Sequence, residues 1–395
     1  MEEVYILEGA RTAFTSFGKS FASIGTTELG VATAKEAMER SHVSPDEIDQ
    51  VIYGNVIHSS TNAPYVARHI ATKSEIPVET PAMLVNRLCG SGLQSVISGV
   101  HAILMNEGET ALVGGVDNMS MSPYVSFTNR FGHPKLGNVQ FEDMLLLTLR
   151  DEAIGNGMGI TAENLSEQYD ISREEQDEYS AISHQRASEA IQSGRFQREI
   201  VSVEVKERKE VKKVETDEHV RSSTSVEGLS KLKPTFKKDG SVTAGNSSGI
   251  NDGAASLVIA RDSFVKKKNA KPLAKIRSWA VCGVDPSVMG IGPVPAINLA
   301  LKRAGLSKDQ IDLFEINEAF AAQYLAVEKE LNLDRDKTNV NGGAIALGHP
   351  VGASGSRLLL SLAYELKLRN KRYGVASLCI GGGQGIAMVI ENENK

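Results

Sequence analysis

Two of the three cysteines in this chain stand in glycine-rich segments where a thiol could do chemistry. Cys89 lies in NRLCGSGLQS, where a predicted loop enters a predicted helix. A thiol at that position faces the positive end of the helix dipole and unpaired backbone N–H groups, and both lower its pKa. Cys89 is therefore a candidate nucleophile, and the alternative is a small buried hydrophobic residue.

His349 and Cys379 lie in two further glycine-rich segments, NVNGGAIALGHPVGASGSR and SLCIGGGQG. His349 is a candidate proton acceptor, and a hydrogen-bonded structural histidine is the alternative. The glycine run after Cys379 is costly in backbone entropy, so we expect bare N–H groups there to meet a ligand or an oxyanion. A tight turn between buried strands is the alternative. Neither G-x-G-x-x-G with its downstream acid nor a Walker-type lysine is present, which argues against nucleotide binding of those types.

An internal repeat indicates which elements position these residues. The segment Thr27–Asp49 returns as Gly290–Asp312 at an offset of 263 residues. Each copy predicts an amphipathic helix, a short break and an S-x-D-[EQ]-I-D turn before an apolar segment. The same offset carries Cys89 onto Gly352, and each of these turns opens a predicted helix that is followed by a strand. If the halves pack about a pseudo-twofold axis, both helix N-termini face one cleft.

The chain therefore predicts an α/β fold of two similar halves with an inserted segment, in agreement with a length of 395 residues. We expect an N-terminal half over residues 1–120, completed by about 246–270, a loop or cover domain over 121–245, and a C-terminal half over 271–395. The inserted segment holds a charged helix and a lysine-rich region from Lys206 to Lys238. That region is either a solvated surface or a cover that offers cations to an anionic ligand.

Composition excludes several classes of protein. The 43 basic and 49 acidic residues give a net charge of −6, which is unlike the basic stripe of a nucleic-acid binder. No long uncharged apolar run and no secretory signal is present, so we predict a protein that is neither exported nor membrane-spanning. The odd number of cysteines lacks metal-ligand spacing, which argues against a disulfide framework and a metal site. Without a targeting signal at either end, we predict a cytoplasmic location.

The motifs NRLCGSGLQS, GSVTAGNSSGINDGAA, NEAFAAQ, NVNGGAIALGHPVGASGSR and CIGGGQG, in this order and spacing, resemble those of the thiolase family, in particular its acetyl-CoA acetyltransferases. The resemblance extends over essentially the whole chain. It implies the five-layered α-β-α-β-α fold of that family, with two similar halves and an inserted loop domain. It also implies coenzyme A and acyl-CoA as substrates, no permanently bound cofactor, and a place in fatty acid metabolism.

By this resemblance, Cys89 accepts the acyl group as a thioester and His349 takes the proton of its thiol. Cys379 is then the acid–base group that removes the α-proton of the incoming acetyl-CoA. Asn317 holds a water near the enolate oxygen, and the backbone N–H groups of Cys89 and Gly381 bind the tetrahedral intermediate. The implied reaction is the reversible Claisen condensation of two acetyl-CoA to acetoacetyl-CoA and CoA.

The resemblance also implies a set of residues that contact coenzyme A and line its pantetheine tunnel: Leu149, Met158, Arg221, Phe236, Ala244, Ser248, Met289, Ala319 and Phe320. Two positions depart from the family pattern. Gly157 stands where many members carry a histidine, and Gly228 stands where a CoA-contacting serine is common. The missing side chain at Gly157 predicts a wider pocket near the acyl end.

Other activities remain open at this point. A degradative 3-ketoacyl-CoA thiolase of broader chain length would use the same residues. A ketoacyl-ACP synthase shares the architecture but generally pairs one cysteine with two histidines, whereas Cys379 holds the third place here. A non-catalytic CoA- or lipid-binding protein and a cysteine hydrolase are further alternatives. The resemblance implies a homo-oligomer, dimer or tetramer, with the loop around Phe127 to Gln140 joining dimers.

Overall fold

The computed structural model describes residues 2–131, 136–207 and 210–393. The segment 127–140 and the lysine-rich segment 206–238 each include residues outside these ranges. The long strands coincide with apolar runs of the sequence. The strands are β1 Val4–Thr12, β2 Thr15–Ser16, β3 Gln50–Gly54, β4 Ala82–Val85, β5 Thr110–Asn118, β6 Tyr124–Val125, β7 Glu142–Asp143, β8 Arg150–Asp151, β9 Asn156–Gly157, β10 Ile200–Val201, β11 Val203–Glu207, β12 Glu210–Val214, β13 Asn251–Arg261, β14 Ala274–Gly283, β15 Leu313–Ile316, β16 Tyr373–Ile380 and β17 Gln384–Glu391.

The helices lie between these strands and on their outer faces. They are α1 Thr26–Ser41, α2 Val66–Lys73, α3 Ser91–Leu104, α4 Met144–Thr148, α5 Met158–Gln168, α6 Arg173–Gln192, α7 Val226–Leu229, α8 Asp262–Lys268, α9 Pro293–Ala304, α10 Ala321–Leu331, α11 Ala344–Leu347 and α12 Ser354–Leu368. Among the helices that the structure describes, none is long and apolar enough to cross a membrane.

The repeat predicted from the sequence is confirmed by the element bounds. The starts of β3 and β15, of α3 and α12, and of β5 and β16 are each separated by the same 263 residues, as are the ends of α1 and α9. Ser44 and Ser307, equivalent in the repeat, each form a capping box with the side chain three residues later, Glu47 and Gln310. The same local hydrogen bonds therefore turn the chain from helix to strand in both halves.

The two halves meet at their central strands. The large sheet has the strand order β15-β16-β17-β14-β1-β13-β5-β3-β4. Strand β1 of the first half pairs antiparallel with β14 of the second through Val4 and Ile276. Within each half, β3 and β15 run parallel to β5 and β16, respectively. The strands of each half are therefore arranged as mirror-order copies about the β1–β14 junction.

Apolar packing produces the predicted five layers. Helices α3 and α12 form the central layer, because their buried residues share one cluster with strands of both halves, including Leu93, Leu359, Val113 and Ile390. Helices α1 and α2 cover the outer face of the N-terminal half. Helices α9 and α10 cover the outer face of the C-terminal half. The α-β-α-β-α architecture follows, with the N-termini of the two central helices side by side.

The inserted segment is tied to this framework by buried polar bonds. Arg11 at the end of β1 donates to Asp217 at 2.7 Å and to Glu199 at 3.2 Å, and all three side chains are buried. In α6, the hydroxyl groups of Tyr179 and Ser183 each donate to the buried Glu318 carboxylate at 2.7 Å. Removing one partner of such a buried bond leaves the other unsatisfied, so these contacts fix the cover against both halves.

Candidate active site

Cys89 lies immediately before Gly90, the N-cap residue of α3, and the residue as a whole retains some exposed surface. The preceding Leu88 has a φ of 45°, in the left-handed region that non-glycine residues rarely occupy. Its N–H donates to Asn86 Oδ1 at 2.9 Å. The turn packs against the segment before Gly381, because a Cβ on Gly90 would come within 2.5 Å of Ile380 Cδ1. The nucleophile candidate therefore sits on a strained turn beside the Gly381 segment.

The pKa of the Cys89 thiol departs from the sequence prediction. Burial raises this pKa to about 11, and the Asp117 charge adds to the rise, while the N–H donors of Gly381 and Cys89 lower it. The predicted lowering is wrong for the free site, because the loss of hydration outweighs the donors at the helix N-terminus. The thiol is neutral at pH 7 and needs a base to become a nucleophile.

His349 is held in its turn through its backbone. Gly348 before it has a φ of +99°, and a Cβ there would come within 2.3 Å of the Asn251 side chain. Asn251 Oδ1 accepts the His349 backbone N–H at 3.0 Å. Glycine is therefore required at position 348 both for the conformation and for the close approach of Asn251.

The imidazole of His349 is buried and bonded at both nitrogens. Nδ1 lies 2.6 Å from Ser354 Oγ, and Nε2 lies 3.4 Å from Asn317 Nδ2. Burial lowers the pKa of His349 to about 4, and the Arg357 charge adds to the lowering. The ring is neutral at pH 7 and can accept a proton.

Asn317 follows β15 and brings an unsatisfied acceptor to the site. Its backbone N–H donates to the Ser377 carbonyl at 2.9 Å, which fixes it beside β16. Its Oδ1 is buried and meets no hydrogen-bond donor in the described ranges. A buried amide oxygen without a donor costs free energy. A bound ligand or an ordered water can supply that donor.

Cys379 lies near the end of β16 and is completely buried. Burial raises the pKa of its thiol well above the ordinary value, and ionisation of the neighbouring Cys89 would add to the rise. The turn that follows contains Gly382 and Gly383, with φ values of +79° and +80°. A Cβ on Gly381 would come within 3.2 Å of Leu88 Cδ1, so this turn lies against the residue before Cys89. The GGG run thus brings bare backbone close to the turn of one cysteine just beyond the other.

Six of the residues predicted to contact coenzyme A lie around the two cysteines. Phe236 packs edge-to-face on Phe320 with ring centroids 5.9 Å apart. Leu149 packs in the same apolar cluster as Cys89. The cluster around Cys379 contains the others: Met158, Met289, Ala319 and Phe320. These six side chains, which border one thiol or the other, make up the apolar wall of the site.

The other three predicted CoA-contacting residues lie farther along the inserted segment. The backbone N–H of Ser248 donates to the Ala319 carbonyl at 2.9 Å, which connects it to the wall. Ala244 and Arg221 are exposed. The Arg221 backbone N–H donates to His184 Nδ1 at 3.1 Å, which orients its loop. No contact in the described part of the chain joins Arg221 or Ala244 to the cysteines.

Three residues that hold the site were not predicted from the sequence: Asn251, Ser354 and Asp117. Asn251 and Ser354 lie inside quoted glycine-rich motifs, so their polar side chains were a signal. Their partners were not readable, since Asn251 and His349 are 98 residues apart. Asp117, near the end of β5, lies in none of these motifs.

The arrangement combines two thiols, a neutral imidazole and backbone N–H donors at one position. Such a set can form and transfer a thioester, with a base for the first thiol and a second thiol for proton transfer. Among the described residues, no group of three or more His, Cys, Asp or Glu side chains is placed to hold a metal ion.

Comparison with protein families gives two adjacent matches. The family described as "Thiolase, N-terminal domain" matches residues 4–263. The family described as "Thiolase, C-terminal domain" matches residues 270–392.

Comparison with individual proteins gives relatives over the full length. The mitochondrial 3-ketoacyl-CoA thiolase of Homo sapiens is 50% identical over 389 residues, which are 98% of this chain and 98% of that protein. The acetyl-CoA acetyltransferase of Pseudomonas aeruginosa is 47% identical over 398 residues and covers 100% of both. The crystal structure of the human mitochondrial enzyme in complex with CoA has a TM-score of 0.96 and 49% identity, covering 99% of this chain and 98% of that one.

The predicted cytoplasmic location is contradicted by this comparison. Relatives from Pongo abelii, Homo sapiens and Bos taurus, each 50% identical to this chain, are described as mitochondrial. The prediction rested only on the absence of a targeting signal, and such an absence does not determine a compartment.

Proposed function

The chain belongs to the thiolase family of acyltransferases, and we propose that it is a 3-ketoacyl-CoA thiolase that acts in the degradative direction on several chain lengths. The observation that carries this proposal is the packing of the Cys89 turn against the segment of Cys379 and Gly381, with the His349 ring held by Ser354 and Asn317. One thiol can hold an acyl group while the other moves a proton. That pairing suits transfer between two thiols better than transfer to water.

Two observations favour the degradative reading over the condensation of two acetyl-CoA first expected. Relatives at 50% identity are described as 3-ketoacyl-CoA thiolases, while the acetyl-CoA acetyltransferase from Pseudomonas aeruginosa is 47% identical. Gly157, beside Leu149 and Met158, leaves open space, since a Cβ there would meet only the Leu149 carbonyl oxygen at 3.7 Å. A longer acyl chain can use that space.

In the first half-reaction, Cys89 attacks the 3-keto carbonyl carbon of the substrate. Its thiol proton passes to the unprotonated Nε2 of His349, and a C–S bond forms. The bond between C2 and C3 then breaks, and its electron pair leaves as the enolate of acetyl-CoA. Cys379 donates its proton to that carbon, which releases acetyl-CoA and leaves an acyl thioester on Cys89.

In the second half-reaction, the Cys379 thiolate takes the proton of an incoming CoA thiol. The CoA sulfur attacks the thioester carbonyl on Cys89, and the shortened acyl-CoA leaves when the C–S bond to Cys89 breaks. His349 returns its proton to the Cys89 sulfur. Both thiols are then restored to their neutral resting state.

Each half-reaction places negative charge on an oxygen. We assign the tetrahedral oxyanion to the backbone N–H groups of Cys89 and Gly381, which favour negative charge at this position because they lower the pKa of the Cys89 thiol. We assign the enolate oxygen to His349 and a water bound by Asn317. Losing one such donor typically costs about 3–4 kcal/mol of transition-state stabilisation.

Coenzyme A would enter along the apolar wall. Its pantetheine arm would lie against Phe236, Met289 and Ala319, next to the Ser248 segment. The exposed Arg221 guanidinium is free to meet the nucleotide end. The turn at Ala244 would border the same path.

We also propose a homo-oligomer, dimer or tetramer. The segment from Tyr124 to Leu146 exposes large apolar side chains, which a monomer rarely leaves in water. They include Tyr124 at 69%, Phe131 at 94%, Leu136 at 91% and Phe141 at 62% exposure. Sedimentation velocity gives the test, and a monomer at micromolar concentration would exclude the oligomer.

A chain-length series tests the proposed substrate class. The rates of CoA-dependent cleavage of C4, C6 and C8 3-ketoacyl-CoA should give similar or rising kcat/KM with length. A steep preference for C4 would instead support acetoacetyl-CoA as the substrate. CoA binding without cleavage of any of the three would indicate a non-catalytic CoA-binding protein.

A further inference from the structure

Asp117 is a buried carboxylate at the end of β5 that the proposed reaction does not use. Its Oδ1 accepts three bonds, from Asn55 Nδ2 at 2.7 Å, the Val56 N–H at 3.1 Å and the Ile57 N–H at 2.9 Å. Its Oδ2 accepts the Gly352 N–H at 2.5 Å. The charge is thus met by four donors from two different segments of the chain.

Those two segments both border the candidate active site. Val56 and Ile57 belong to the apolar cluster against which Cys89 packs, and so does Val351. Gly352 lies three residues after His349 in the same turn. The single carboxylate of Asp117 therefore binds both the Val56–Ile57 segment beside the thiol and the turn that carries the imidazole.

The internal repeat gives this contact a second meaning. Gly352 is the position equivalent to Cys89, and Ile380, which precedes Gly381, is the position equivalent to Asp117. In one half, the turn after the strand packs against the turn that carries the cysteine. In the other half, the strand end accepts an N–H from the residue that replaces the cysteine. At the position that is equivalent to Cys89 in the repeat, the backbone N–H is thus bound by a carboxylate.

The backbone around the Asp117 carboxylate is closely packed. A Cβ on Gly352 would come within 2.7 Å of Asp117 Oδ2, and a Cβ on Gly115 would come within 1.9 Å of the Gly352 carbonyl oxygen. Both positions need glycine for this close approach. A small shift of the carboxylate would therefore be passed on to the His349 turn.

We propose that Asp117 is a positioning residue of the catalytic centre, which fixes the segment packed against Cys89 relative to the turn that carries His349. The alignment follows from the four hydrogen bonds. Burial is the main cause of the raised pKa of the Cys89 thiol, and the Asp117 charge adds a smaller rise in the same direction. The role in turnover rests on the proposed thiolase function, whereas the effect on the thiol does not.

The Cys89–Asp117 pair has further ionisable groups around it, namely Cys379, His349, Arg87 and Asp252. Cys379 is buried and neutral, and His349 is neutral at pH 7, as described above. Arg87 bonds through its guanidinium to Gln94 and Gln384. The pKa of Asp117 itself is raised to about 7, chiefly by burial. The Asp252 charge on the adjacent strand adds to this rise.

Asp117→Asn tests the proposal, because it keeps the size of the side chain and removes its charge. Asparagine has one acceptor oxygen, so either the three donors at Oδ1 or the Gly352 N–H loses its partner. We expect kcat for thiolysis to fall by about tenfold or more, with KM for CoA changed less than about twofold. Alkylation of Cys89 by iodoacetamide should shift to lower pH, and a merely structural role would not move this profile.

Asp252→Asn is the matched control. Asp252 is also a buried carboxylate, but it accepts from the N–H and hydroxyl of Ser120 at 2.9 and 2.6 Å. It should leave the alkylation profile of Cys89 in place. An unchanged kcat and an unchanged alkylation profile in Asp117→Asn would overturn the proposal, as would an equal shift in Asp252→Asn.

A second variant covers the case in which Asp117→Asn does not fold. Asn55→Ala removes the side-chain donor to Asp117, and kcat should fall about threefold or more. An unchanged kcat in Asn55→Ala would then overturn the proposal. If the unaltered enzyme cleaves no 3-ketoacyl-CoA, the proposed function fails, whereas the alkylation profiles still decide whether Asp117 controls the Cys89 thiol.

Discussion

The hydroxyl of Ser354 lies 2.6 Å from Nδ1 of His349 and donates its own proton to the Pro350 carbonyl at 2.9 Å. A serine has one proton to donate, so its oxygen accepts the bond from the imidazole. Nδ1 therefore carries the proton of the neutral ring. Nε2, on the side of Asn317, is left as the proton acceptor before any substrate arrives.

Ser354→Ala should lower turnover by removing this acceptor. A buried N–H left unpaired costs about 1–3 kcal/mol, and the ring can avoid that cost by moving its proton to Nε2, where it blocks proton transfer from Cys89. We expect kcat to fall by about ten- to a hundredfold in thiolysis assays. Ser361→Ala, two turns along α12, should keep most of its activity, and an equal loss in both variants would contradict the assignment.

The buried His349 also makes stability depend on pH. Burial lowers its pKa from 6.5 to about 4 in the folded state. The unfolded chain binds the proton more readily, so the stabilisation is complete above about pH 6.5 and is lost as the pH falls towards 4. It amounts to at most about 3 kcal/mol. His184 and His219, whose pKa values burial also lowers to about 4, act in the same direction.

A variant isolates the contribution of His349 from these groups and from the buried acids. Burial raises the pKa of Asp117 to about 7 and that of Glu315 to about 8, and their protonation opposes the histidines as the pH falls. His349→Asn should therefore lose fewer degrees of Tm between pH 7 and pH 4.5 than the unaltered protein. A loss of Tm of the same size in both would mean that His349 does not titrate on unfolding.

The sequence predicted the parts of this molecule that depend on local pattern. The offset of 263 residues placed α3 opposite α12 and β5 opposite β16, because helix starts and capping turns are encoded within a few residues. The pKa of Cys89 was predicted in the wrong direction, since burial depends on the whole fold and not on a neighbouring helix. The bond from His349 to Asn251 and the role of Asp117 likewise depend on contacts that no local pattern contains.

Cys379→Ala should separate the two halves of the proposed reaction. Cys89, His349 and the N–H of Gly381 remain, so the variant should still take an acetyl group from acetyl-CoA and exchange it slowly. Without the second thiol, no group is placed to protonate the leaving enolate, so cleavage of 3-ketoacyl-CoA should fall by about a hundredfold or more. Mass spectrometry of the acetylated protein and a thiolysis assay measure the two effects, and normal cleavage would mean that another acid acts.

Gly157→Val should narrow the substrate range without harming the fold. Gly157 has an ordinary extended conformation, with φ −77° and ψ 159°. A Cβ there meets only the Leu149 carbonyl oxygen at 3.7 Å. The free energy of unfolding should therefore change by less than about 1 kcal/mol.

The acyl-chain preference should change because the neighbours of Gly157 border both thiols. Leu149 packs in the cluster of Cys89, and Met158 packs in that of Cys379. A valine side chain between them should reduce kcat/KM for C8 3-ketoacyl-CoA more than for C4. Gly228→Ser, in α7, is the control, since its Cβ would lie 3.5 Å from Oγ of Ser225, the N-cap residue of that helix. A C8-to-C4 ratio that is equal in Gly157→Val, Gly228→Ser and the unaltered enzyme would show that the space at Gly157 does not receive the acyl chain.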